Sequence, residues 1–195
     1  MKKKSLKTYW CTYTLVCLGV LVAMQLILSR MLAINVGGFA RVTLGSVATI
    51  MSGVWFGPAA GALTGFTADI LGCLIQGYSV NPFITVSAML WGVITSLFVY
   101  AGSGSSKKRQ ILWTCLGVVS SCVICTLFLT TTGLVVMYGY SLAAILPTRL
   151  IQFACMCPIY CVLVNLLYFS PVTTQLQSHL SFHAARRPGR HLSRQ

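Results

Sequence analysis

Residues 57–72 read GPAAGALTGFTADILG, an apolar, glycine-stepped stretch that carries a single charge, Asp69. That aspartate is the one acidic residue in a chain of 195 with 14 lysines and arginines. Gly57, Gly61 and Gly65 stand four residues apart, and Asp69 is the next step. Small residues at this spacing let helix backbones approach closely in lipid. Positions 65, 69 and 72 share one helix face, because three or four residues nearly complete a turn. The stretch therefore predicts a packed membrane helix with its carboxylate turned inward. The glycines beside it leave room for a neighbouring helix or for a flat ligand.

Composition puts the rest of the chain in the same medium. It is 56% hydrophobic and 8% charged, with a mean hydropathy of +0.83. Soluble domains carry roughly 25% charged residues, so this chain has too little polar surface to cover itself in water and is expected in a bilayer. Six apolar segments are legible, at 9–29, 42–56, 58–75, 82–101, 111–137 and 142–169. The second and third are short, and Gly57-Pro58 separates them as a tight turn. The first lacks a small-x-small cleavage site and reads as a retained span, not a signal peptide.

Eleven of the basic residues cluster, as Lys2, Lys3, Lys4 and Lys7, then Lys107, Lys108 and Arg109, then Arg186, Arg187, Arg190 and Arg194. Basic clusters flanking apolar segments are topology signals, not phosphate grips, so no nucleic-acid partner is expected. Six spans put all three clusters on one side, whereas five or seven strand one outside. The expected fold is an all-α membrane protein with six transmembrane helices, both termini cytoplasmic and a ligand pocket near the outer face. Its expected parts are a basic cytoplasmic N-terminus at 1–8, a six-helix transmembrane substrate-binding domain at 9–169 and a flexible basic cytoplasmic tail at 170–195.

In this topology the remaining charges share a depth. Arg30 ends the first span, Arg41 begins the second and Arg149 lies one or two turns into the sixth. Asp69 lies about two-thirds of the way out along the third. An ionisable group within a span costs about 2.5–3.5 kcal/mol on insertion scales, and four at one level suggest a shared polar cavity opening outward. Snorkelling to the interface accounts for Arg30 and Arg41 but poorly for the deeper Asp69 and Arg149. Gln76 and Tyr78 follow the third span, while Thr85 and Ser87 open the fourth, with Trp91 one turn deeper. Tyr78, Tyr138 and Tyr140 also suit an interfacial aromatic belt. Trp91 is too deep for a belt and is either core or a stacking platform. The linker LAINVGGFA at 32–40, with its paired glycines, suits a pliable lid over a pocket.

Several chemistries are excluded. There is no Walker A motif, so the chain does not hydrolyse ATP itself. Its three histidines all lie in the tail, which removes an intramembrane Ser/His protease. Nine cysteines lie mostly in apolar segments and are expected to pack as small hydrophobes. No catalytic residue, cofactor or metal is expected. What remains describes capture. Guanidiniums bind carboxylates or phosphates in bidentate fashion, a carboxylate accepts a pair of N–H donors, and a tryptophan stacks on a ring.

The segments RVTLG (41–45), GVWFGPAAGALTGFTADILG (53–72) and NPFITVSAMLWG (81–92), with PTRLIQ (147–152), resemble the folate-specific substrate-binding (S) component of energy-coupling factor (ECF) transporters. The resemblance implies a six-helix fold with a vitamin pocket near the outer surface of the cell membrane. It implies high-affinity folate capture without enzymatic activity. It also implies a partner module of one transmembrane coupling protein and two ATPase subunits. In that family small residues of the first helix meet the coupling protein, which points here to Gly19 and Ala23. Ala48 departs from the family, where a proline is expected. Folate suits the residues: its pterin edge offers Asp69 an N–H pair, its two carboxylates suit Arg30, Arg41 or Arg149, and its rings suit Trp91. Which arginine meets which group stays open, and one of them can pair with Asp69 instead. The alternatives are an S component for another vitamin and a stand-alone proton-coupled carrier.

Overall fold

The computed structural model describes residues 12–31, 34–36, 40–77, 79–139, 141–171, 173 and 175–176, with the side chains of 34–36, 40–42 and 138 outside the description. Helix α1 (Thr12–Leu26) runs on through a π-helical turn, Ile27–Met31. Strands β1 (Ile34–Val36) and β2 (Ala40–Val42) form an antiparallel hairpin with Asn35 opposite Arg41. Helices α2 (Ser46–Phe56), α3 (Pro58–Gln76) and α4 (Pro82–Gly102) follow. The fifth span comprises α5 (Lys107–Ser121), a π-helical segment (Cys122–Thr130) and α6 (Thr131–Tyr138). The sixth is α7 (Leu142–Tyr168).

Local chemistry sets these boundaries. Gly57 has φ 108°, a conformation that glycine adopts without Cβ strain. It turns the chain between α2 and α3, and Pro58 starts α3 with φ already helical. The Asn81 side chain accepts from the Phe83 amide at 3.0 Å and caps α4 ahead of Pro82. The Ser141 hydroxyl does the same for α7, accepting from the Ala144 amide at 3.3 Å.

Among the described residues five helical spans are long and apolar enough to cross a membrane, and the third is one of them at 19 residues. The expectation that it is short is thereby corrected. The second starts at Ser46 instead of 42, because Ala40–Val42 pair as a strand. Only 11 residues long, α2 rises about 16 Å, well short of a bilayer core. It is tolerated because it is enclosed: Ala48, Ile50, Met51, Ser52 and Val54 are all at most 1% exposed. The hairpin is the one departure from an all-helical chain among the described residues. Ile34, Val36 and Val42 are β-branched and favour it. Residues 32–33 and 37–39 of the expected lid lie outside the described set.

Burial runs opposite to that of a water-soluble protein. Thr14, Ser52, Thr95, Ser96 and Ser121 are fully buried, while Val20, Leu74, Ile75 and Phe128 are at least 64% exposed. Hydroxyls and amides join spans where lipid offers no partner. Thr49 donates to Gln25 at 2.6 Å, Thr95 and Ser121 share a bond of 2.8 Å, and Asn81 donates to the Gly133 carbonyl at 3.0 Å. The glycines act at the centre. A Cβ on Gly61 would lie 2.9 Å from Gly53 Cα and 3.0 Å from Gly92. Spans two, three and four thus meet backbone to backbone. Cys122, Cys125 and Cys157 sit in the apolar core with Met51, Val54 and Val164.

Beyond α7, the chain stays attached to the bundle. The Thr173 hydroxyl accepts from the Trp55 indole N–H at 3.1 Å and donates to the Leu167 carbonyl at 2.6 Å. Leu176 packs on the cluster of Leu18, Leu21 and Phe56. Residues 1–11 and 177–195, which hold the expected N-terminal segment and most of the expected tail, lie outside the described residues.

Candidate functional site

A cavity of about 340 Å³ opens at one end of the bundle, the end opposite the α4–α5 connection. Its wall takes Arg30 from the first span, Thr43 and Ser46 from the entry to α2, and Asp69 and Cys73 from the last turns of α3. Ser79 and Asn81 come from the connection before α4, Ile84 and Trp91 from α4, and Cys122, Thr126, Thr130 and Leu134 from the fifth span. Arg149, Gln152, Phe153, Met156 and Tyr160 complete it from α7. The volume falls within the range of about 300–1,000 Å³ usual for small-molecule sites.

Asp69 is buried at 9% exposure. Its Oδ2 accepts from the Thr85 hydroxyl at 2.7 Å, and its Oδ1 lies 3.7 Å from Arg30 Nη2. Arg30 also donates through Nη1 to Gln76 Oε1 at 2.8 Å. The guanidinium does not snorkel outward; it turns back over Gly72, where any Cβ would collide with it. A glycine of the 57–72 ladder thus makes room for an arginine side chain. Gly65 instead admits the backbone of α4 at Ala88.

Arg149 stands apart from this pair. It is buried at 7% exposure. Its Nη1 donates to Gln152 Oε1 at 2.9 Å, and its buried Nε has no hydrogen-bond partner among the described residues. Gln152 is neutral, so no carboxylate offsets this cation. Among the described residues Arg30–Asp69 is the one ion pair of the chain.

Trp91 meets Tyr160 edge-on, with ring centroids 5.3 Å apart and planes at 73°. The Tyr160 hydroxyl donates to the Thr43 carbonyl, one residue beyond the hairpin. The two π-helical turns, Ile27–Met31 and Cys122–Thr130, both border the cavity, through Arg30 and through Cys122, Thr126 and Thr130. Such turns free a backbone carbonyl and recur at functional sites. At the second, Thr130 donates to the Cys125 carbonyl at 2.8 Å and Thr131 to the Thr126 carbonyl at 3.1 Å.

Of the residues predicted from sequence, Arg30, Asp69, Trp91 and Arg149 line the cavity. Thr85 and Gln76 stand behind it, holding Asp69 and Arg30. Ser87 does not line it; its hydroxyl bonds the Cys125 carbonyl at 3.2 Å and so ties α4 to the fifth span. The Arg41 side chain and Tyr78 lie outside the described residues. Gly19 and Ala23 are on the exposed face of α1, and nothing lies within 4 Å of a Cβ built on Gly19. Sequence reasoning missed Tyr160 and Gln152. The latter had a signal, its place one helical turn after Arg149. Among the described residues no cluster of His, Cys, Asp or Glu could hold a metal.

A family model described as ECF-type riboflavin transporter, S component, matches residues 9–168. The chain is similar to the folate transporter FolT of Clostridium novyi (strain NT), at 28% identity over 77% of this chain and 84% of that protein. It is similar to the crystal structure of FolT bound with folic acid, at 26% identity and TM-score 0.70, over 81% of this chain and 93% of that one. It also shares the fold of the S component of a bacterial ECF transporter, at 18% identity and TM-score 0.58, over 89% and 98% of the two chains.

Proposed function

Because the chain belongs to the family of ECF-type riboflavin transporter S components, we propose that it is the vitamin-capturing membrane subunit of such a transporter and that its vitamin is folate. The observation that carries folate over riboflavin is the uncompensated guanidinium of Arg149 in the cavity wall. A buried charge demands a counter-charge. The one acidic side chain in the sequence, Asp69, already faces Arg30. The missing anion therefore comes with the ligand. Folate ends in a glutamate with two carboxylates, while riboflavin has none. The likeness to a folic-acid-bound FolT supports the same choice.

The pterin edge, with its amino group and ring N–H, suits Asp69. A carboxylate has about four acceptor positions, and Arg30 and Thr85 engage only part of them. Trp91 and Tyr160 offer aromatic surface for the ring. Thr85 and Gln76 act through Asp69 and Arg30, by holding them.

The partners are a transmembrane coupling protein and two ATPase subunits, since the chain has no nucleotide motif. The face offered to the coupling protein is that of Gly19 and Ala23 on α1, beside Val16 and Val20, which are 60% and 64% exposed. The cavity faces outward and the basic clusters inward.

Fluorescence titration of the detergent-purified chain tests the ligand. Folic acid is expected to quench tryptophan emission saturably and riboflavin to leave it unchanged. Saturable quenching by riboflavin alone would reverse the assignment.

A further inference from the structure

The guanidinium of Arg149 has two hydrogen-bonding edges, and among the described residues only one group of it is occupied. Nη1 is held by Gln152 Oε1 at 2.9 Å. Nε, on the opposite side, is buried and without a partner among the described residues. In arginine the Nε–H and one Nη2–H point the same way and form a two-pronged fork that matches a carboxylate. Gln152 follows Arg149 by one helical turn, so both side chains rise from one face of α7. Both line the cavity. A glutamine is the residue that can do this without neutralising the arginine: its carbonyl accepts from Nη1 but brings no negative charge.

We propose that Gln152 is a positioning residue that fixes ligand selectivity, by turning the Nε–Nη2 edge of Arg149 toward one terminal carboxylate of the ligand while leaving the cation uncompensated. The proposal rests on the folate reading above and adds to it the orientation of the ligand. The glutamate end lies against α7. The heterocycle lies across the cavity, at Asp69 on α3. Arg30 does not serve the carboxylates, because Gln76 and Asp69 already hold it.

A glutamate at 152 would supply the anion from within the chain. The ligand's carboxylate would then lose its partner and meet a negative charge. The test compares folic acid with its dimethyl ester, which keeps rings and chain but lacks both anions. The wild-type chain is expected to favour the acid by at least about tenfold, the scale of a charged bidentate contact. Gln152→Glu is expected to shrink that preference to about twofold or less. Arg149→Lys, which keeps the charge but loses the fork, is expected to reduce the preference as well, and it serves where Gln152→Glu does not fold. A Gln152→Glu chain that keeps the full preference, or that loses acid and ester alike, overturns the proposal. If the wild-type chain binds no folic acid at all, the folate reading itself fails, an outcome distinct from either.

Discussion

Asp69, held between Arg30 at 3.7 Å and the Thr85 hydroxyl at 2.7 Å, has its donors arranged before any ligand arrives. Replacing it by asparagine keeps the shape but removes the charge and turns one acceptor into a donor. Asp69→Asn is expected to weaken folic acid binding by about 1.5–3 kcal/mol, the range for a charged hydrogen bond, as read by isothermal titration. Arg149→Ala is expected to weaken it by about 1–3 kcal/mol on the same grounds; unchanged affinity would remove Arg149 from the site. These charged positions were legible in sequence because an ionisable side chain in lipid is costly and therefore conspicuous. Thr126 and Thr130 were not. Serines and threonines are common in membrane helices, where they bond to their own backbone, and only the closing of the bundle tells which of them face a cavity.

At the level of elements, hydropathy gave the spans closely. The fifth appears in sequence as one apolar run and in the structure as one continuous helix with a widened middle. Nothing in a hydropathy profile marks an i→i+5 turn, so Cys122–Thr130 was invisible beforehand. The hairpin escaped for a different reason, since each of its strands is three residues long, too short to show an alternating pattern. Gly65, by contrast, was both legible and decisive. A Cβ there would strike the backbone at Ala88, which cannot yield as a flexible side chain would. Gly65→Leu is expected to lower stability by about 1–3 kcal/mol or more, seen as an earlier thermal transition and a loss of the monodisperse peak in gel filtration. Gly19 is the opposite case, with open space beside it. Gly19→Leu is expected to leave folic acid titrations unchanged while abolishing uptake and co-purification of the coupling protein. Full uptake by that variant would remove Gly19 from the contact.

For the molecule as a whole, the proposed orientation rests on charge placement in the sequence. In a cysteine-free background, Ser79→Cys beside the cavity is expected to react with an impermeant maleimide in intact cells. Ser106→Cys, at the start of α5, is expected to react only after lysis. The reverse labelling pattern would invert the topology. The depth shared by Arg30, Asp69 and Arg149 was legible from span counting alone, but the division of labour between the two arginines required knowing which of them Asp69 reaches. One further consequence belongs to the contact of Gly53, Gly61 and Gly92. With no side chain between three backbones, spans two, three and four form one closely packed block. Both π turns, and the prolines inside α7, lie outside that block. Asp69 stands on this block, whereas Arg30 and Arg149, the cations described in the cavity wall, stand on the first and sixth spans outside it, so the two poles of the chamber are carried by different parts of the bundle.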